Sequence, residues 1–230
     1  MLSPVMHKTP LIEGEYYHLY NRGVDKRRVF TNPTEYSRFL AYAYMLNTTE
    51  HISPSDFFRY HHTEDVFAMG RSNPLVAIGA FCLMPNHFHL YVTPLVEGGI
   101  SKFMQRLETA YTKYFNEKHV RTGSLFGGTF KSEHIKNENH AKYLFSYIHL
   151  NPAKLKDKNW KMHKSKEWKP LQDFVETYRY SSYQEYTCSQ HVITDPSFFP
   201  AYLRSKKDIK SHLRDWLQNR DTAGSLTSRS

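Results

Sequence analysis

The chain is expected to fold as an α+β protein: a ferredoxin-like antiparallel sheet with helices packed on one face, followed by a C-terminal helical extension. Two observations carry this expectation. Segments of alternating and of helical apolar spacing succeed one another as strand, helix, strand, strand, helix, strand, helix, the order of that sheet with one helix appended. The 230 residues, 40% of them hydrophobic and 15% aromatic, suffice for one good core with elaborations.

The elements follow in order. In "EYYHLYNRG" Tyr16, His18 and Tyr20 alternate with Tyr17 and Leu19 before Gly23, a strand running into a turn. "PTEYSRFLAYAYML" spaces Phe39, Leu40, Ala43, Met45 and Leu46 as a helix would, with Asn32 as cap before Pro33. Residues 47–74, with "HISPSD" and "GRSNP", look like an irregular connection. "LVAIGAFCLM" and "HFHLYVTP" are two strands meeting around Pro85 and Asn86, a hairpin. "SKFMQRLETAYTKYFNEK" sets Phe103, Leu107, Ala110, Tyr111, Tyr114 and Phe115 on one helical stripe and Lys102, Arg106 and Lys113 on another. "TGSLFGGTFKS" is a loop entering a short strand in "KSEHIKN", and "ENHAKYLFSYIHLNP" is a last core helix that Pro152 helps to end. The division expected is an N-terminal arm over 1–15, a compact domain over 16–153 and a basic, helical extension over 154–230. Ile209, Leu213, Trp216 and Leu217 suggest one more helix there, and the last ten residues read as disordered.

Composition narrows the function classes. Cys82 and Cys188 are too few for a disulfide framework or a four-thiolate metal site. Nothing at the N-terminus resembles a signal peptide and no apolar run of about 18 residues occurs, so a cytoplasmic protein without a membrane span is expected. The net charge of +9 is concentrated: residues 101–169 hold 15 basic and 6 acidic side chains, while the flanking segments sum to zero. A basic concentration of this kind is the footprint of a phosphate-backbone binder, or simply a solvated surface.

Two histidines one residue apart stand in "MPNHFHLYV". On a strand, side chains at i and i+2 share a face, so His87 and His89 point one way while Phe88 and Leu90 point to the core. The pair suits two ligands of one divalent metal, or two hydrogen-bonded residues on a wet sheet face. In "YIHLNP", Tyr147 and Asn151 are four apart on a helix whose apolar stripe is Leu144, Phe145 and Ile148, so that packing aims both at one place. Tyr147 is also one of 17 tyrosines, and Asn151 could do no more than close the helix.

Six motifs in order, "YYHLYNRG", "MPNHFHLYV", "MQRLETAYTKYFN", "GSLFGGTFKS", "YLFSYIHLNP" and "YRYSSY", resemble the single-tyrosine HUH transposases, and among them the REP-associated branch, over residues 16–183. The resemblance implies that His87 and His89 bind a divalent metal, Mg²⁺ or Mn²⁺, that Asn151 completes its site, and that Tyr147 attacks DNA to give a 5′-phosphotyrosine and a free 3′-hydroxyl. It implies a prokaryotic, cytoplasmic enzyme, associated with the nucleoid when bound to DNA, that cleaves and rejoins hairpin-bearing single-stranded DNA as a monomer or homodimer. Arg22, Lys102, Arg106, Lys113, Arg121 and Lys131 are the candidate DNA contacts. Relatives commonly carry glutamine and arginine where this chain has Gly127 and Thr129, and tryptophan where it has Tyr180. Two other readings stand beside this one: a non-catalytic regulator that binds single-stranded DNA or RNA hairpins, and a metal-dependent nuclease using water in place of the tyrosine.

Overall fold

A computed structural model describes residues 11–70, 72–160, 168–204 and, beyond these, 207, 209 and 210. Strands β1 (Tyr17–Arg22), β2 (Val76–Met84), β3 (His87–Pro94) and β4 (Lys131–His134) form one sheet in the order β2-β3-β1-β4. Each neighbouring pair is antiparallel. Helices α1 (Pro33–Met45) and α2 (Pro54–Tyr60) connect β1 to β2, and α3 (Gly99–Lys118) connects β3 to β4. This is the ferredoxin-like α+β arrangement expected. No helix among the described residues is long and apolar enough to cross a membrane.

The first core lies between the sheet and the crossover helices. Phe103, Leu107, Tyr111 and Phe115, each four apart on α3, are buried with Leu19, Phe88 and Leu90 from alternate strand positions. Helix α1 starts where the sequence places it: the Asn32 side chain accepts from the Glu35 amide at 3.3 Å, and Pro33 occupies the first turn, where its missing N–H costs nothing. The 47–74 connection is more ordered than expected. Ser53 caps α2 by accepting from the Asp56 amide, again with proline at the first position, and a 3-10 turn follows at Glu64–Ala68. The cap signal was present in "SPSD"; the helix is too short to show a periodic stripe.

The second face of the sheet corrects a second expectation. With helices on one face only, that face would be free; instead α4 (Glu138–Leu150), α5 (Ala153–Lys156), α6 (Trp168–Thr177), α7 (Tyr183–Cys188) and the chain up to Leu203 build a second core over its β2–β3 half. Phe145 and Ile148 of α4, Tyr186 of α7 and Phe199 are buried there with Ala80, Cys82 and Tyr91 of the sheet. The same segment covers the β2 edge: Leu83 N–H donates to Tyr180 O at 2.8 Å, Ser182 N–H to Phe81 O at 3.0 Å and Asp195 N–H to Ile78 O at 2.8 Å. Tyr180 stacks on Tyr36 at 3.9 Å, a packing role. The helix expected through Leu213, Trp216 and Leu217, the tail's expected disorder and the first ten residues of the N-terminal arm lie outside the described residues.

One half-buried acid makes the fold pH-sensitive. Glu108 of α3 accepts from Asn21 Nδ2 at 2.9 Å, and burial pushes its carboxyl up to about 7 from the usual 4.5. Because the folded value lies above the unfolded one, its contribution to stability is complete below pH 4.5 and is lost as pH rises through about 7. Glu108→Gln keeps an acceptor for Asn21 and removes this loss. At pH 8 the variant is expected to be more stable than the wild type by roughly 2 kcal/mol in urea unfolding, with little difference at pH 4.5. Equal gains at both pH values would refute the assignment.

Candidate active site

The sheet register places the chemistry in rows. On the α4 side of the sheet, Arg22 of β1 lies opposite His87 of β3. Tyr20 lies between His89 and Lys131, and His18 between Tyr91 and Glu133. Residues paired across an antiparallel ladder share a face, so these side chains form one surface. Phe88 and Leu90, by contrast, are buried in the first core, as the alternation predicted.

Each histidine has one ring nitrogen engaged. His87 Nδ1 is 2.6 Å from Asn86 Oδ1, an acceptor, so Nδ1 carries the proton and Nε2 keeps its lone pair. His89 Nδ1 is 2.8 Å from His18 Nε2. The Glu133 carboxylate stands 3.8 Å from His18 Nδ1 and favours the proton there. His18 Nε2 is then the acceptor, His89 Nδ1 the donor, and His89 Nε2 holds a lone pair. That atom is buried and has no hydrogen-bond partner. All three imidazoles are held neutral. Burial is the main cause at each, lowering His87 to about 3, helped by the charges of Arg22 and Lys154, and lowering His89 and His18 as well.

Helix α4 brings the tyrosine to this surface. Asn137 caps its start by accepting from the His140 amide at 2.9 Å, and Leu144, Phe145 and Ile148 seat it on the second core. The Tyr147 ring meets His89 edge-on at 5.4 Å and His18 at 6.4 Å. Lys154 of α5 donates to the Tyr147 hydroxyl oxygen at 3.4 Å, its ammonium 4.9 Å from the ring centre. The turn that returns Lys154 begins at Asn151, whose carbonyl accepts the Lys154 amide at 3.2 Å. Asn151 stays in helical conformation, one turn beyond Tyr147, 1% exposed, with neither amide atom hydrogen-bonded.

Buried polar groups without partners are costly, and those of His89 and Asn151 sit on the two elements that the histidine–tyrosine contact joins. Two imidazole nitrogens and one amide oxygen make a plausible ligand set for a divalent cation. Among the described residues no group of three His, Cys, Asp or Glu side chains could hold a metal, so the amide is essential to that set.

The other candidates divide by location. Arg22 and Lys131 are exposed on the histidine face. Lys102, Arg106 and Lys113 lie on α3, which packs against the opposite face. Two of them are engaged: Lys102 Nζ donates to Thr49 O at 3.4 Å and Arg106 to Thr48 O at 2.5 Å. Arg121 holds its own loop through Asn116 and Ser124 O. Sequence reading missed His18 and Lys154. His18 was recoverable, since period two in "YYHLYNR" puts it with Tyr20 on one face; Lys154 was not, because its approach depends on the turn at Asn151–Pro152.

Residues 58–151, which span both histidines and the tyrosine, match the family model described as transposase, IS200-like. That segment is similar to the IS200-like transposases. The chain is also similar to a solved REP-associated tyrosine transposase bound to a REP hairpin. That structure is 13% identical, covers 88% of this chain and 92% of its own, and superposes with a TM-score of 0.49. No curated protein matches the chain. The transposase match ends at residue 151, before Lys154 and before the segment that covers the second face.

Proposed function

We propose that this protein cleaves and rejoins hairpin-bearing single-stranded DNA, with Tyr147 as the nucleophile. The observation that carries this reading is the packing of the Tyr147 ring on His89, with an ammonium at its hydroxyl and partnerless polar atoms on His89 and Asn151. The phenol oxygen attacks phosphorus, the bond to the 3′ oxygen breaks, and the products are a 5′-phosphotyrosine and a 3′-hydroxyl. The phenol gives up its proton as the new bond forms, and the leaving oxygen gains one. Lys154 holds positive charge where the phenol oxygen becomes negative, and Arg22 and Lys131 flank the place where the phosphate would sit. His87 Nε2, His89 Nε2 and Asn151 Oδ1 would hold a divalent cation, Mg²⁺ or Mn²⁺, which when bound supplies Lewis-acid polarisation of the scissile phosphate.

The test is incubation with Mn²⁺ or Mg²⁺ and end-labelled single strands carrying hairpins from around its own gene, followed by denaturing electrophoresis. The expected result is a labelled protein adduct that is absent with EDTA and in His89→Ala. Cleavage without an adduct would indicate water as nucleophile. Native complexes with neither cleavage nor adduct would indicate a binding-only regulator.

A further inference from the structure

We infer that the loop over residues 22–28 is the surface that grips one single-stranded DNA arm as it passes the His87 end of the site, an inference that rests on the proposed DNA-cleaving reading. Arg22, Lys26, Arg27 and Arg28 are all exposed, with Asp25 the one acid among them. Among the described residues, none of the four has a carboxylate partner. Many cations elsewhere are engaged: Lys118 by Glu35, Lys142 by Glu138, Lys169 by Asp173, and Lys102, Arg106 and Arg121 by carbonyls. A tight group of exposed, unneutralised cations repels itself and gains most from a polyanion.

The loop is also rigid and fixed beside the site. Gly23 N–H donates to Asn86 O at 2.9 Å, Val29 N–H to Pro85 O at 2.8 Å, and Asn86 Nδ2 to Lys26 O at 3.3 Å. These bonds tie the loop to the turn that carries His87. On the other side Val24 N–H donates to Leu125 O and Gly127 N–H to Arg22 O. Gly23 is required for this fold: a Cβ there would lie 2.4 Å from Arg27 O. Asp25 and Lys26 hold positive φ of 54° and 59°, a left-handed turn between Arg22 and the Arg27–Arg28 pair. Next to them Gly127 and Gly128 are exposed and lack side chains that could block a strand. A preformed cationic edge costs little ordering on binding, and it leads to Arg22, which lies opposite His87.

The test compares wild type with Lys26→Gln/Arg27→Gln/Arg28→Gln, all exposed side chains remote from Tyr147 in the register, and with Lys113→Gln as an exposed cation on the far face. Affinity for a labelled single-stranded oligonucleotide is measured by anisotropy over a range of salt. The triple variant is expected to bind about 10-fold or more weakly near physiological salt, and its log–log salt slope to shrink by about 2, three phosphates at roughly 0.7 each. Adduct formation at saturating DNA should keep its rate, and the deficit should vanish when the oligonucleotide is shortened on one flank of the cleavage point only. Unchanged affinity and slope, or an equal loss in Lys113→Gln, would overturn the inference while leaving the cleavage reading intact. A wild type that binds no single-stranded DNA would instead overturn the proposed function itself.

Discussion

Tyr147→Phe is expected to abolish the covalent adduct and reduce strand cleavage by about 10⁴-fold or more, since a phenyl ring has no atom that can attack phosphorus. The substitution isolates chemistry from structure. Phenylalanine retains the ring that packs on His89 and lies parallel to Tyr143 at 6.2 Å, so folding stability should move by less than about 0.5 kcal/mol. DNA affinity should also be near wild type. Lys154→Met provides a graded comparison: it removes the ammonium from the phenol oxygen but leaves the nucleophile. Loss of one charge-assisted hydrogen bond corresponds to roughly 10- to 100-fold in rate, with the adduct still formed. The pairing of outcomes is diagnostic. If Tyr147→Phe cleaved at the wild-type rate, the nucleophile would be a water molecule and Tyr147 a packing residue; if Lys154→Met were as inert as Tyr147→Phe, Lys154 would have a larger part than charge stabilisation.

The parts of this site that the sequence reveals are those set by short-range periodicity. Period two on β3 put His87 and His89 on one face, and the four-residue spacing on α4 put Tyr147 and Asn151 on one side. Those rules need no knowledge of what packs against what. The charge reading shows where they stop. Summing by segment drew attention to residues 101–169, yet the structure commits Lys102, Arg106, Lys118, Arg121 and Lys142 to internal partners. The cations beside His87 belong to a stretch whose overall sum is near neutral, because the acids of residues 1–100 cancel them on paper. Lys154 was hidden for a related reason: its meeting with Tyr147 depends on a chain reversal at Asn151–Pro152 that no periodicity encodes. The covered second face was hidden too, since α6 and α7 are short and their apolar residues are spread through a polar, tyrosine-rich segment.

Ending the chain at residue 157, close after the family match, is expected to destroy the fold rather than trim an appendage. Removal would uncover Ala80, Cys82, Tyr91, Phe145 and Ile148, now buried by Tyr183, Tyr186, Phe199 and Leu203. At about 1.5–3 kcal/mol for each large side chain withdrawn from the core, the loss reaches the 5–15 kcal/mol that holds a typical domain together. The β2 edge would also lose its hydrogen bonds to Tyr180, Ser182 and Asp195. The connection to activity runs through α4. His149, fully buried one turn short of Ala153, is 2.8 Å from Ser182 Oγ, which in turn takes the Phe81 amide at 2.9 Å, and Phe145 meets Tyr186 edge-on at 5.3 Å. These contacts clamp the tyrosine helix to β2 from its far side. The fragment 1–157 should therefore be insoluble or bind hydrophobic dyes without a cooperative thermal transition, and Ser182→Ala in the full chain should lower stability by about 1–3 kcal/mol by stranding His149 Nε2 and the Phe81 amide. A fragment that melted cooperatively and formed the Tyr147 adduct would show that the clamp is dispensable and that the sheet with α4 is a complete catalytic domain.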